Sequence, residues 1–572
     1  MSQLHIVGIA ALVGPAYLLF LYVVGSTLGR RWCDPITCRW ERAGATLVCG
    51  LLVHALVASV LLALAPAWAG ASIWLLLATC LIRWRWHPPA LGRHLVPVLL
   101  VGLYGLACYL LLLSYHYGPA RGSTIFWSIY TLTNVTPGDS PQAAFQAQYL
   151  LFGAQLTGAE DFALFDRPFL GGIVTAGTLP AFGISLSSKF YDYPELVAFA
   201  YTNLWIAINA IVVLPLLHIV SRFSHGRTVY IISLLILACP FLVFNSIGLW
   251  SKLLALAIMC LACTQALRRN WGLAAVVSGI AFFAHGSFLW AHISFCGVMF
   301  FALVVEGMRE RQWRWAKIVS VFTICVAVPA TWFVAEHLSG GATPLRTYYL
   351  YNVHVAYGLH HSAEQIAREF YSSTNQTNLV NLPWMNLAKG MLPIEVLDLI
   401  LNYRLSNDAT GWRALGESLF RNQFMRAWFA LGVVGGAITL RGLLSHESSR
   451  WAPRLALIAF FLLPLIPGLG LYRRDDHFLL PIMMFAIIPV LISFCIGLQS
   501  VKPRSVILLA LIMLAEYLMI YYWRYPPGRF VGEFHAWYLA AATIGMIVVA
   551  LFVALPRLRH LPLPGALKEQ KQ

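Results

Sequence analysis

The sequence predicts an all-α polytopic membrane protein, and three observations carry that prediction. Of its 572 residues, 59% are hydrophobic and 11% charged, against about 45–50% and about 25% in soluble domains. Apolar runs of roughly twenty residues, enough for a helix to cross ~30 Å of hydrocarbon, recur along the chain. Other runs are about twice that length and carry Arg or Lys at both ends. If basic ends stay cytoplasmic, each long run crosses an even number of times.

Single spans are expected near residues 5–27, 95–115, 197–221, 317–336 and 426–441. The double runs lie near 43–82, 228–267, 271–308, 454–500 and 505–556, bounded by Arg42 and Arg83, Arg227 and Arg268, Arg269 and Arg309, Arg454 and Lys502, and Arg504 and Arg557. Each reads as a hairpin with its turn on the outer face, for about fifteen crossings in total. The first run begins at Ile6 without a basic leader or a cleavage site, so it reads as a retained span. This map places the N-terminus outside and the basic tail inside.

The outer face then receives two long loops, 116–196 and 337–425, and the turns Asn245–Lys252, His285–His292, Tyr472–His477 and Arg524–His535. The inner loops are short and mix Trp with Arg, as interfacial anchors do. Amphipathic helices lying on the membrane are expected within the outer loops, at Ala363–Tyr371 and at Ser140–Leu156. The second would set Phe145, Tyr149, Leu150 and Phe152 apart from Gln142, Gln146 and Gln148. Three regions result: extra N-terminal spans in 1–94, a central module in 95–500, and a final hairpin with a short basic tail in 501–572. Arg-rich, Lys-poor usage points to a bacterial inner membrane, with the site facing the periplasm or exterior.

The net charge of +16 belongs to these flanks. No basic run or aromatic-basic stripe remains to bind nucleic acid. The eleven cysteines show no metal spacing; most sit inside apolar runs, and Cys33 and Cys38 lie on a basic loop.

Chemistry concentrates in the first outer loop. In Pro137-Gly138-Asp139-Ser140-Pro141 a tight turn leads into a helix start, so the Asp139 carboxylate sits at a helix N-terminus and stays ionised. Asp166, before Arg167-Pro168, stands at a second helix start. Either acid alone also reads as a cap; together they bracket one amphipathic segment. In Tyr472-Arg473-Arg474-Asp475-Asp476-His477 a charge cluster interrupts an apolar hairpin, which is costly unless used. Arg473 and Arg474 suit a phosphate, with His477 donating to it. Lys252 and His285, in other outer turns, are further phosphate contacts or, equally, interfacial anchors. Tyr149, Tyr349, Tyr351 and His354 offer faces that stack on sugar rings. Asn134-Val135-Thr136 and Asn375-Gln376-Thr377 match glycosylation sequons.

The order of an apolar span, Gly138-Asp139-Ser140-Pro141 with Gln146-Ala147-Gln148-Tyr149, Asp166-Arg167-Pro168-Phe169-Leu170 and then a long series of spans resembles the integral-membrane glycosyltransferases of the GT-C fold. These include protein mannosyltransferases, lipid A aminoarabinose transferases and arabinofuranosyltransferases. The resemblance covers roughly residues 95–500. It implies that Asp139, as the first outer-loop acid, is catalytic and that Asp166 is the second acidic position. The chain departs from the family in its additional spans before the loop and in a single Asp where an Asp-Glu pair is common.

The resulting expectation is an inverting transferase that moves a sugar from a polyprenyl-phosphate donor to a hydroxyl of an extracytoplasmic glycan, lipid or protein. Asp139 acts as general base, and Arg473 and Arg474 neutralise the leaving phosphate. No cofactor is required by the motifs. A divalent cation (Mg2+, Mn2+ or Ca2+) is left open, with Asp139, Asp166 and Asp476 as its ligands. Alternatives are an O-antigen polymerase or ligase, in which the later Arg and His residues matter and Asp139 does not, and a transporter or flippase of lipid-linked sugars.

Overall fold

The computed structural model describes residues 3–33, 36, 38–85, 91–117, 125, 129, 142–153, 168–186, 195–224, 228–310, 315–338, 365, 368, 372, 433–444, 479–499, 501–518, 521 and 532–554. Eight helices among them are long and apolar enough to cross a membrane, and six more apolar helices are shorter. The chain is an integral membrane protein. It divides into two units, residues 1–156, 169–257 and 501–572 in the first and 157–168 and 258–500 in the second.

The first unit begins with α1 (Gln3–Leu28), the short α2 (Arg30–Cys33) and α3 (Arg39–Leu64). A 3-10 turn at Pro66–Trp68 leads to α4 (Ala71–Trp84), so the first long apolar run is a helical hairpin. Next come α5 (Leu91–Leu113), β1 (Tyr115–Tyr117), α6 (Gln142–Phe152), α7 (Leu170–Thr178) and α8 (Glu195–Ala210). They are followed by α9 (Val213–Phe223), α10 (Thr228–Ala238), α11 (Pro240–Ile247) and the first residues of α12 (Lys252–Leu267).

Proline sets two of the breaks. Pro215 has no N–H for the Ile211 carbonyl, which instead accepts from Leu214 at 3.1 Å, and the apolar run splits into α8 and α9 through a tighter turn. At Pro240 the Ile236 carbonyl likewise accepts from Cys239 at 3.2 Å, separating α10 from α11.

Helix α1 packs on α3 and α8, and α3 also packs on α7 and α9. Where α1 crosses α3 the two backbones touch. A Cβ on Gly25 would overlap the Thr46 carbonyl, and one on Gly50 the Leu21 carbonyl. Lipid gives apolar side chains little reason to cluster, so such close approach through small residues is what joins membrane helices. The outward sides of α3 and α4 remain apolar, with Leu56, Val60, Leu64, Trp74, Leu81 and Ile82 exposed, as hydrocarbon contact requires.

The last apolar run supplies α18 (Pro503–Leu518), β2 (Gly532–Phe534) and α19 (Ala536–Ala554). Strand β2 pairs antiparallel with β1, Tyr115 opposite Phe534 and Tyr117 opposite Gly532. This short ribbon is the one departure from helix among the described strands and helices of an otherwise all-α chain. It joins the end of α5 to the start of α19, helices that also pack on each other. The Tyr115 hydroxyl donates to the backbone carbonyl of Tyr521.

In the second unit α13 (Trp271–Ala284), α14 (Phe288–Glu310) and α15 (Trp315–Leu338) pack together. Helices α16 (Val433–Leu444) and α17 (Leu479–Gln499) form a pair. Their crossing repeats the small-residue device, with Gly442 against the Ser493 carbonyl and Gly497 against the Ile438 carbonyl.

Candidate functional site

The segment expected to lie on the membrane surface does form a helix, α6. Gln142, Gln146 and Gln148 are buried, and so is Phe145, while Phe152 is exposed and Tyr149 and Leu150 are half-buried. The middle of the helix is therefore enclosed by protein on both its polar and its apolar side, and only its end is open.

The wall opposite the glutamines is α7, which begins Leu170-Gly171-Gly172. Gly172 lies directly against Gln146, and a Cβ on Gly171 would come 3.2 Å from both Ala143 and the Trp205 ring. Three helices thus meet over two glycines: α6 with Ala143 and Gln146, α7 with no side chain at that point, and α8 with Trp205. The indole Nε1–H of Trp205 donates to Thr175 Oγ1 at 3.1 Å, and that hydroxyl donates to the Gly171 carbonyl at 2.9 Å. Tyr149 stacks on Phe169 at 6.3 Å with ring planes 12° apart, closing the rim of α6 over the start of α7.

Polar groups continue into the helix layer. Tyr17 hydrogen-bonds His54 Nδ1 at 2.8 Å, and His54 Nε2 meets Ser72 Oγ at 3.0 Å, so one buried imidazole ties α1, α3 and α4. Gly177 of α7 packs against the same ring. Asn203 Oδ1 accepts the backbone N–H of Gly14 at 2.7 Å. Farther along, Asn209 Nδ2 donates to the Ser246 carbonyl at 3.4 Å. The Oδ1 atoms of Asn209 and Asn245 and the Trp250 Nε1–H are buried without a hydrogen-bond partner among the described residues.

Lys252 is 4% exposed, and its Nζ sits 3.4 Å above the Trp250 ring. It is therefore held by an aromatic face, a cation–π contact favoured where water is scarce, instead of reaching out to the interface. His285, in the second unit, ends α13 and folds into its own turn. Its Nδ1 accepts the Ser287 N–H at 3.3 Å and lies 2.7 Å from Ser287 Oγ. His292, one turn into α14, bridges Ser278 at 2.9 Å and the Cys325 carbonyl at 2.8 Å, tying its three-helix group together.

Of the residues singled out in the sequence, Tyr149, Lys252 and His285 are placed as above. Asp139, Asp166, Tyr349, Tyr351, His354, Arg473, Arg474, Asp476 and His477 lie outside the described residues, as does nearly all of Ala363–Tyr371. Among the described residues no three His, Cys, Asp or Glu side chains are grouped to hold a metal ion.

The buried glutamines are neutral groups able both to donate and to accept, a chemistry that matches hydroxyls better than ions. Their signal in the sequence is three Gln within seven residues of an otherwise apolar segment, followed by Gly171-Gly172 to receive them. No family model, curated protein or solved structure matches the chain.

Proposed function

We propose that the protein is a membrane glycosyltransferase of the GT-C type, with about fifteen crossings, that moves a sugar from a polyprenyl-phosphate donor to a hydroxyl acceptor on the extracytoplasmic side. The observation that carries this reading is the burial of three amide side chains on α6. Gln142, Gln146 and Gln148 are buried on the helix that begins three residues after Asp139. Neutral polar groups close in sequence to a candidate general base support a hydroxylated substrate.

In this mechanism Asp139 takes the acceptor proton as the acceptor oxygen attacks the anomeric carbon, and the centre inverts. Arg473 and Arg474 neutralise the departing polyprenyl phosphate, so no acid need protonate it. Asp166 orients the acceptor or the base, and Tyr149, in its stacked pair with Phe169, forms part of an aromatic rim for a sugar ring. A divalent cation would fall to Asp139, Asp166 and Asp476.

The test is sugar transfer from a labelled polyprenyl-phosphate sugar in membranes carrying Asp139→Asn. Loss of a general base predicts a fall of about 10²–10⁴-fold at unchanged expression. Retained transfer would overturn the assignment. Retention accompanied by loss in Arg473→Ala and Arg474→Ala would favour the polymerase or ligase chemistry.

A further inference from the structure

At the start of α3, in a stretch of sequence that carries Arg30, Arg31, Arg39 and Arg42, lies a constellation that the transferase reading does not use. Cys38 is the residue immediately before α3, with extended backbone angles of φ −78° and ψ 128°. Its sulfur is 2.8 Å from Nδ1 of His218 on α9. The other ring nitrogen of His218 is 3.7 Å from a carboxylate oxygen of Glu41, one turn along α3 from the cysteine. Glu41 is 6% exposed and His218 17%, and Cys38 is half-buried.

This is the order nucleophile, base and orienting acid. With Nδ1 accepting from the thiol, the ring proton resides on Nε2 and faces Glu41, the tautomer a base needs. At 3.7 Å the carboxylate is beyond a hydrogen bond but close enough to favour the imidazolium once the proton arrives. Packing fixes the frame, because Gly44 of α3 rests on Leu214 and Pro215 of α9 at 3.5 and 3.7 Å from where its Cβ would be. Burial, the largest influence, and the Glu41 carboxylate oppose a thiolate at Cys38, whereas the backbone N–H groups of Glu41 and Trp40 and the Arg222 guanidinium favour it. The resting group is therefore a thiol that requires a base at the moment of attack, and His218 is in contact with it.

The surroundings select the electrophile. The apolar span α3 starts at the thiol and α9 packs on it, and Arg222 lies close enough to act on the sulfur. A reactant matching both is amphiphilic: a long acyl chain, an activated carbonyl and an anionic carrier. We propose that Cys38 is a self-acylating nucleophile that accepts a long-chain acyl group from an acyl thioester, with His218 as its base and Glu41 as a positioning residue. The Cys38 sulfur attacks the thioester carbonyl as its proton passes to His218 Nδ1. The carbonyl bond to the carrier sulfur then breaks, and the proton leaves with the carrier thiol. One thioester is exchanged for another, with no oxidant or reductant needed.

The test uses the full chain in lipid nanodiscs incubated with palmitoyl-coenzyme A, read by intact mass, hydroxylamine lability and peptide mapping. The expected result is a single hydroxylamine-labile adduct on Cys38. Cys38→Ser should leave no labile adduct, and His218→Gln should slow its formation about 10²-fold or more. Glu41→Ala should slow it by a smaller factor that Glu41→Asp partly restores, which mere destabilisation would not produce. Thermal transitions of all variants in the same nanodiscs report whether the fold is kept. An absent adduct, an adduct spread over Cys33, Cys49 and Cys80, or an unchanged rate in folded His218→Gln overturns the proposal. None of these readouts depends on sugar transfer.

Discussion

Gly172 and Gln146 touch across the α6–α7 interface with no room for a methyl group: a Cβ added to Gly172 would overlap the Cβ of Gln146 and press on its backbone. The glycine therefore decides how deeply the glutamine row sits. Gly172→Ala forces α6 away from α7 or rotates it, at about 1–3 kcal/mol by the usual cost of overpacking. Gly172→Val should cost more. A thermal transition in detergent checks the stability, and on the transferase reading sugar transfer should fall with it, because the amide lining moves. Gly153, with open space where a Cβ would stand, gives the contrasting case at the end of the same helix. There φ is +58°, so a substitution strains only the local backbone.

The Tyr17–His54–Ser72 chain should behave as one cooperative element. His54→Leu leaves the Tyr17 and Ser72 hydroxyls without the partners at 2.8 and 3.0 Å, and the membrane interior offers little water in exchange. Each lost contact is worth roughly 0.6–2 kcal/mol. Tyr17→Phe alone should cost a similar amount, and the double variant less than the sum of the two, because the second change removes a group already stranded. Additive values in a double-mutant cycle would mean that the chain is not coupled.

Hydrophobic runs were enough to mark the stretches that hold the eight candidate spans among the described residues. The turn between α13 and α14 falls at His285, and the 3-10 turn between α3 and α4 at Pro66, inside runs the sequence marks as hairpins. The burial of the α6 glutamines was not legible, because that of Gln146 depends on Gly172, 26 positions later. The β1–β2 ribbon joins Tyr115 to Phe534 across more than four hundred residues, a pairing no local pattern encodes. The Cys38–His218 contact was hidden for the same reason: the cysteine looked like one more small residue on a basic loop. Of the candidate site, Asp139 lies outside the described residues, and the packing of the helix after it rests on contacts distant in sequence.

Cys38 also makes a prediction about pH. Burial raises its thiol above the ordinary value of 9.0, against the smaller pull of the Glu41 and Trp40 amides and Arg222. The folded protein thus holds this proton more tightly than the unfolded chain does. The associated stability is fully present below the unfolded value and is lost as pH rises through the higher folded one. Alkylation by iodoacetamide, which consumes thiolate, should be slower at neutral pH than in a denatured sample, and its midpoint should lie above that of a free cysteine. A midpoint below 9.0 would show that the helix amides outweigh burial.

Arg269 gives the last prediction, because two small effects of opposite sign meet there. The residue ends α12 with φ at +61°, a left-handed backbone that costs an ordinary residue roughly 1–2 kcal/mol and glycine almost nothing. Its guanidinium reaches Glu306 at 3.2 Å, but with 71% of the side chain exposed that pair is worth about 0–1 kcal/mol. Glycine also loses more entropy on folding, which returns part of the backbone gain. Arg269→Gly should therefore leave stability within about 1 kcal/mol of the parent, tending upward, and raised salt should narrow any loss by screening the pair in the parent. Glu306→Gln removes the ion pair and leaves the backbone unchanged, so it should be neutral or slightly destabilising. If Arg269→Gly proves the more damaging of the two, the ion pair, which both variants lose, is not the cause, and the entropy that glycine loses on folding outweighs the strain relieved at this position.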